Sequence, residues 1–322
     1  VKLGIAVVYV VAEGNERLFD LHLDRIAAHT RVPYTLYAGV NRLRVELRER
    51  LAGRPEVRIC ALPETDARNS EEHAFYLERL VDAALAEGST HVGVLHVDSF
   101  PLRDGWARTL AAQLSPSRPF AAAVRDAEID RKPFTACLVA EAAFLRNRRP
   151  HLLLTEQERH SAAYRRYRRL EPHHPDSGVG WGLLAFRERL DWLRLERSNR
   201  GEDHCHFGSV YGDLIFHLGA AAWPRKDFPA RRQPTRGLAI RAALAAAARR
   251  IAPRRARAML SRSLARLIPA LDIERKYAAN QAAFAAVRAR LLADPEAYLR
   301  FLRLGGDAYH HGQPAPNTRR FC

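Results

Sequence analysis

From Leu3 to Leu114 short apolar runs alternate with amphipathic ones, and that alternation leaves few folds open to the chain. Leu3 to Val11 is a β-branched apolar run, and about Glu16 to His29 follows with helical periodicity. Tyr34 to Ala38 reads as a strand, Leu43 to Ala52 as a helix and Val57 to Leu62 as a strand. In Ser70 to Gly88 the residues Phe75, Leu77, Leu80, Val81, Ala84 and Leu85 recur at helical spacing, and Gly88 supplies the stop. A buried strand from Thr90 and a helix over about Gly105 to Leu114 complete the series. Strand–helix–strand repeats of this kind form parallel sheets with right-handed crossovers, so the first half is expected to be doubly wound. Leu3 to Val11 lacks a small-residue cleavage site after it and reads as the first buried strand, not a signal peptide.

With 322 residues and 47% hydrophobic content, the chain is long enough to bury a full core. No run approaches the roughly 18 apolar residues of a membrane-spanning helix. Cys60, Cys137, Cys205 and Cys322 are scattered without a Cys-x-x-Cys pair, which argues against a disulfide scaffold or a four-cysteine zinc module and points to a reducing, cytoplasmic setting.

After Pro119 the pattern changes. Phe120 to Asp126 and Phe134 onward read as two strands joined by a charged turn, the second leading into a short helix. An Arg- and Tyr-rich helix over about Glu156 to Arg169 precedes the loop EPHHPDSGVGWG and the segments DWLRLERSN, HCHFGSVYGD and LIFHLG. Such a mixed second half completes a sheet and forms the far side of a cleft.

The stretch Thr90 to Trp106, THVGVLHVDSFPLRDGW, carries the chemistry. An extended strand continued to Asp98 would put His96 and Asp98 on one face and Leu95 and Val97 behind them. An imidazole beside a carboxylate at the carboxyl end of a strand stands where open α/β sheets bind ligands. The same residues also suit a plain strand exit, in which the Asp side chain caps the turn before Pro101.

Taken in order, the N-terminal strand with Glu13-Gly14-Asn15, the helix opening at Ser70-Glu71-Glu72-His73, and HVDSFPLRDGW resemble the nucleotide-sugar half of GT-A fold glycosyltransferases of the family 2 type. DSGVGWGLLAF and YGDLIFHLG resemble that family's acceptor loop and late histidine, so the likeness spans about residues 3 to 223. It implies a GT-A-like (Rossmann-like) mixed, mainly parallel sheet flanked by helices, and transfer of a sugar from a nucleotide diphosphate sugar to an acceptor hydroxyl with inversion. It implies Asp98 as ligand to a divalent cation, Mn²⁺ or Mg²⁺, that bridges the donor phosphates. His96 stands where the family pattern has its first Asp, and is placed at the ribose or in the metal's shell. That departure leaves the choice of metal and strict metal dependence open. His217 resembles the late metal-ligating histidine, or else hydrogen-bonds within the cleft wall. Asp176 resembles the base of inverting members, and equally suits an Asx turn before Ser177-Gly178. Glu13 and Asp66 are added as contacts to the nucleotide. Trp181 offers a flat face to a sugar or packs in the core, and Asp213 would orient His217 or meet the acceptor.

Two clusters invite other chemistry. His173-His174 and His204-Cys205-His206 lack the spacing of zinc sites and are read as loop histidines lining the cleft. Gly178, Gly180 and Gly182 lack the preceding strand of a dinucleotide site.

Thirteen Arg and Lys residues lie between Arg225 and Arg266 against Asp227 alone, in a chain of net charge +16. The patterns LAIRAALAAAARRIA and RAMLSRSLARLIPAL are amphipathic helices there, either a solvated basic face or a peripheral contact to an anionic membrane at the inner face, which would suit a lipid-linked acceptor, with a glycan or a small molecule as the other acceptors. Nucleic-acid binding is the rival from another class, since pI ≈ 10.4 is what such a protein shows, but no helix-turn-helix, zinc finger or aromatic RNA-binding signature accompanies the arginines. A domain that holds the nucleotide sugar without turnover is the rival within the fold. Helices at Ile273 to Ala293 and Pro295 to Leu304 follow, so the expected units are a catalytic domain over 1–223, a basic helical region over 224–304 and an irregular tail over 305–322.

Overall fold

The computed structural model describes residues 1–125, 127, 130–171, 173, 175–204, 207–219, 221 and 268–305, with side chains described for all of these but 268–280. The strongly basic segment 225–266 and the tail beyond Gly305, with what the sequence suggests for them, lie outside the described residues.

The chain runs β1 (Leu3–Val8), α1 (Glu16–His29), β2 (Tyr34–Gly39), α2 (Val45–Ala52), β3 (Val57–Cys60), α3 (Ser70–Ala86) and β4 (His91–Leu95). It continues through β5 (Ser99–Pro101), α4 (Trp106–Ala111), β6 (Phe120–Ala123), β7 (Phe134–Glu141) and α5 (Ala142–Arg148). Then come α6 (Glu156–His160), α7 (Ala162–Leu170), α8 (Val179–Glu188), β8 (Leu193–Leu195), β9 (Ser209–Tyr211) and β10 (Ile215–His217), with α9 (Ile268–Ala293) and α10 (Pro295–Leu304) last. Seven strands form one sheet in the order β3-β2-β1-β4-β7-β6-β8. β3, β2, β1 and β4 are mutually parallel, β7 runs antiparallel between β4 and β6, and β8 is parallel to β6. This is the mixed, mainly parallel Rossmann-like α/β sheet that the resemblance implies, and β1 to β4 are the parallel part that the alternation of elements predicts.

Side-chain alternation along β1 explains why its sequence is apolar at every position. Leu3, Ile5 and Val7 pack into a core with α1, α2 and α4, whereas Ala6 and Val8 pack into a second core with α3, α5 and α8. A strand covered by helices on both faces cannot afford polar residues on either. Gly4 allows α3 to lie close: a Cβ there would sit 2.6 Å from the Ala84 Cβ and 2.8 Å from the Ser89 hydroxyl.

The second half differs from its sequence pattern in two places. The expected helix over 156–169 is two helices, because Ser161 stops α6 and its hydroxyl accepts from the Tyr164 amide to cap α7. The stretch Val179 to Gly182, expected in a loop, opens α8. Its glycines disfavour a helix in isolation, but here they admit close neighbours: the backbone of His151 and Leu153 lies against Gly180, and the Tyr167 hydroxyl against Gly182.

β5, β10 and β9 form a separate antiparallel sheet beside the carboxyl end of β4. Phe100, Phe216, Leu218 and Val210 of this region pack with Leu18 of α1, with Phe284, Val287 and Leu291 of α9, and with Tyr298, Leu299 and Leu302 of α10. The terminal helices are thus built into the same core as the small sheet. Arg17 reinforces the contact by donating to the Leu292 carbonyl at 2.9 Å.

Candidate functional site

β4 ends at Leu95, earlier than its apolar run suggests, and His96 to Asp98 form a turn. The cause is Ser99, whose hydroxyl accepts from the His96 amide at 2.8 Å and donates to the Ala136 carbonyl at 2.6 Å, while its own amide donates to the His96 carbonyl at 3.0 Å. A side-chain oxygen competing for backbone partners closes a turn at the expense of the ladder. His96 and Asp98 therefore meet through this turn and not through strand alternation.

Ser99 then starts β5, and β10 pairs with it so that His217 stands opposite Ser99. The Leu218 amide donates to the Asp98 carbonyl at 3.0 Å, and the Ala221 amide to its Oδ2 at 3.2 Å. This register brings His217 Nε2 to 3.4 Å from Asp98 Oδ1. One ligand atom from each of His96, Asp98 and His217 falls within 4.8 Å of the others, and this trio could hold a metal ion. Bonds of about 2.1 Å give ligand–ligand edges of about 3.0–3.4 Å in tetrahedral or octahedral shells, and the 3.4 Å between His217 and Asp98 matches such an edge. Two imidazoles with one carboxylate suit Mn²⁺ better than Mg²⁺, which prefers oxygen throughout.

Asp98 is 3% exposed. Burial pushes its carboxyl upward, but the neighbouring His217 and His96 and the Ala221 amide outweigh burial and hold it well below the usual carboxylate range. Burial and the proximity of His217 and His73 push the His96 ring far down, so it is neutral and able to ligate. Its Nε2 lies 2.9 Å from the Thr135 hydroxyl, and its ring packs edge-on against His73, Phe134 and His217. His73, in the first turn of α3, is lowered to about 4 by burial, against the pull of Asp176.

The trio opens into a cavity of about 610 Å³. One wall is made by the end of β1 with Tyr9 and Val10, by Asn41 and Arg42 after β2, and by Asn69, Ser70, Glu72 and His73 at the start of α3. Arg125, Phe134, Thr135, Asp176 and Ser177 line the cavity as well, and Phe134 packs edge-on against both His96 and His217. Asn69 holds φ 57°, a backbone that costs a non-glycine residue about 1–3 kcal/mol. Beneath the floor, Tyr9 and Ser99 are tied together by the fully buried His22, whose Nδ1 is 2.8 Å from the Ser99 carbonyl and whose Nε2 is 3.1 Å from the Tyr9 hydroxyl. The carbonyl can only accept, so Nδ1 carries the proton and Nε2 accepts from the phenol.

Asp176 lines the cavity while its Oδ1 accepts from the Ser177 amide at 2.7 Å, so the local turn and the cavity-facing position coexist. Burial raises its carboxyl, but bonds from Ser70 and Ser177 and the charges of Lys132 and Arg125 bring it below its ordinary value and keep it ionised.

Of the residues singled out in the sequence, His96, Asp98, His217 and Asp176 come together in this cavity. Glu13 and Asp66 are exposed and are not among its lining residues. Trp181 packs in the core, edge-on to Phe120 at 5.1 Å. Asp213 does not meet His217: it is gripped by both terminal nitrogens of Arg200 at 2.6 and 3.1 Å. His173 stacks on Tyr167 at 4.7 Å and His204 on Phe207 at 4.8 Å, and neither lines the cavity, while His174, Cys205 and His206 lie outside the described residues. Sequence reading did not single out His73, Thr135 or Arg125. Each stands within three residues of a strand end or helix start that faces the carboxyl end of the sheet, which was the available signal.

No family model and no curated protein matches the chain. Solved structures do resemble it in shape. A mannosyltransferase from Pyrobaculum calidifontis, in complex with GDP-Man and Mn²⁺, is 12% identical over 92% of this chain and 88% of its own, with a TM-score of 0.39. Glucosyl-3-phosphoglycerate synthase from Mycobacterium tuberculosis, with Mn²⁺ and UDP-glucose, is 14% identical over 61% of this chain and 69% of its own, at 0.38. Residues 1–349 of S. aureus TarS are 9% identical over 49% of this chain, at 0.34, and this chain spans about half (53%) of that one. Likeness at this level is one of shape alone. Among the described residues, no helix is long and apolar enough to cross a membrane.

Proposed function

We propose that this chain is a metal-assisted glycosyltransferase that moves a sugar from a nucleotide diphosphate sugar to an acceptor hydroxyl, with inversion. The observation that carries the reading is the convergence of His96, Asp98 and His217 at the carboxyl end of the parallel strands, with an ionised Asp176 lining the same cavity of sugar-nucleotide size.

Asp98, His217 and His96 would hold the divalent cation, which when bound supplies positive charge to the departing diphosphate. The end of β1, the β2 loop and the start of α3 offer the nucleoside a wall of mixed polarity, where Arg42 pairs with Glu72 at 2.8 Å. Asp176 takes the proton of the acceptor hydroxyl as its oxygen bonds to the anomeric carbon. The bond from that carbon to the phosphate oxygen breaks on the opposite side, and the nucleoside diphosphate leaves with the electron pair. Asp176 is suited to this because neighbouring cations and hydroxyls keep it ionised at neutral pH.

The test is thermal stability with UDP-, GDP- and dTDP-sugars, with and without Mn²⁺. At least one donor at a hundred times its dissociation constant should add about 2.7 kcal/mol, only with the metal, and Asp98→Asn should abolish the gain. Asparagine still accepts from the Ala221 amide, so the turn survives while the charge is lost. No metal-dependent gain with any donor overturns the proposal.

A further inference from the structure

The cavity that the trio lines also carries a cation with no assigned task. Arg125 follows the end of β6 and lines the cavity, with its guanidinium lying over the Phe134 ring, 4.2 Å from the centroid. Phe134 is itself 4% exposed and fixed at the start of β7, so the arginine head has a rigid seat. Its side chain remains 41% exposed, and among the described residues it donates no hydrogen bond. The nearest carboxylate oxygen, Asp130 Oδ2, is 3.6 Å away, and the other oxygen of that carboxylate is 3.5 Å from the fully buried Lys132 ammonium.

Among the described residues two cations therefore share Asp130, and Asp176 is a further carboxylate on which both act. These four groups sum to zero while Asp176 is ionised. When Asp176 takes a proton, the group becomes singly positive. An anion held against Arg125 is then bound more tightly in the transition state than before it, which is how binding energy accelerates a reaction.

We infer that Arg125 is a specificity-determining residue that receives an anionic group of the acceptor, a carboxylate or a phosphate close to the hydroxyl that is glycosylated. The inference rests on the glycosyltransferase reading. A planar guanidinium with free donors suits either group, since both present paired oxygens to its fork. The bond changes are those given above, and the anion undergoes none.

The test is titration calorimetry on the full chain, with nucleoside diphosphate plus Mn²⁺ added first and sulfate or acetate second, and each anion also titrated alone. Sulfate stands for a phosphate-bearing acceptor and acetate for a carboxylate. In the wild type one anion should bind saturably, Arg125→Met should weaken it by about tenfold or more, and Arg125→Lys should fall between, because an ammonium keeps charge without the fork. Nucleotide affinity should stay within about twofold in both variants. Equal anion binding in wild type and Arg125→Met, or no saturable binding, overturns the inference. A nucleotide affinity that falls by about tenfold in Arg125→Met also overturns it, because Arg125 then serves the donor diphosphate. Absence of any nucleotide binding to the wild type fails the glycosyltransferase reading instead, and the anion titrations alone still decide whether Arg125 is an anion seat. Should Arg125→Met not fold, as read by circular dichroism, Arg125→Lys alone carries the comparison.

Discussion

His22 links the stability of the site's floor to pH. Its ring is fully buried between Tyr9 and Ser99, and burial, only partly opposed by the Ser99 carbonyl and Asp98, lowers it from an ordinary 6.5 to about 4. Above pH 6.5 neither the folded nor the unfolded chain holds the extra proton, and the contribution to stability is complete. As pH falls from 6.5 towards 4, the unfolded chain takes up a proton that the folded chain refuses, so stability is lost over that window. The whole interval corresponds to about 3.4 kcal/mol, of which about 1.8 kcal/mol falls between pH 7 and pH 5. His73 shifts in the same direction, so the wild type should lose more than this one group accounts for. The informative perturbation is His22→Asn, which keeps an amide donor towards the Ser99 carbonyl and cannot titrate. At pH 7 it should cost about 1–3 kcal/mol for the lost ring volume and the lost partner of the Tyr9 hydroxyl. Between pH 7 and pH 5, however, the variant should lose about 1.8 kcal/mol less than the wild type. Urea unfolding at the two pH values measures both quantities. If wild type and variant lose the same stability on acidification, the buried neutral histidine is not what couples this floor to pH, and the reasoning fails.

Two further outcomes test other parts of the molecule. Asp176→Asn should lower kcat for transfer by about 10²–10⁴ while nucleotide affinity measured by calorimetry is unchanged, the pattern of a lost base and not of a lost binding group. Gly178→Ala should lower stability by more than about 2 kcal/mol in urea unfolding, because φ is +95° there and the new methyl would overlap the Pro133 carbonyl oxygen. An alanine variant as stable as the wild type would mean that the backbone before α8 relaxes freely.

Much of the parallel half is legible from side-chain periodicity, because helical and strand repeats record which face of an element is buried. Where periodicity mislead, local hydrogen bonding was the competitor. The apolar run through Val97 predicts a strand to Asp98, but the Ser99 hydroxyl closes a turn one residue past β4. The Arg- and Tyr-rich run predicts one helix, but the Ser161 cap divides it. The glycines of Val179 to Gly182 predict a loop, but close packing against His151, Leu153 and Tyr167 selects a helix that only small residues permit.

The candidate site divides along the same line. The sequence by itself determined that His96 and Asp98 stand at the exit of a central strand, since apolar patterning and chain order suffice for that. It also determined that Asp176 lies in a polar, glycine-rich segment whose local bonding favours a turn. For His217 the resemblance left two places open, beside the cation or in the cleft wall, and only the tertiary structure put it next to Asp98, more than a hundred residues earlier, through the register of β10 on β5. The structure alone likewise seated Arg125 on Phe134 facing the cavity, and turned Asp213 away to Arg200. Periodicity encodes whether a residue is inside or outside, whereas the pairing of distant strands is set by how whole layers pack, a quantity no local stretch of chain contains.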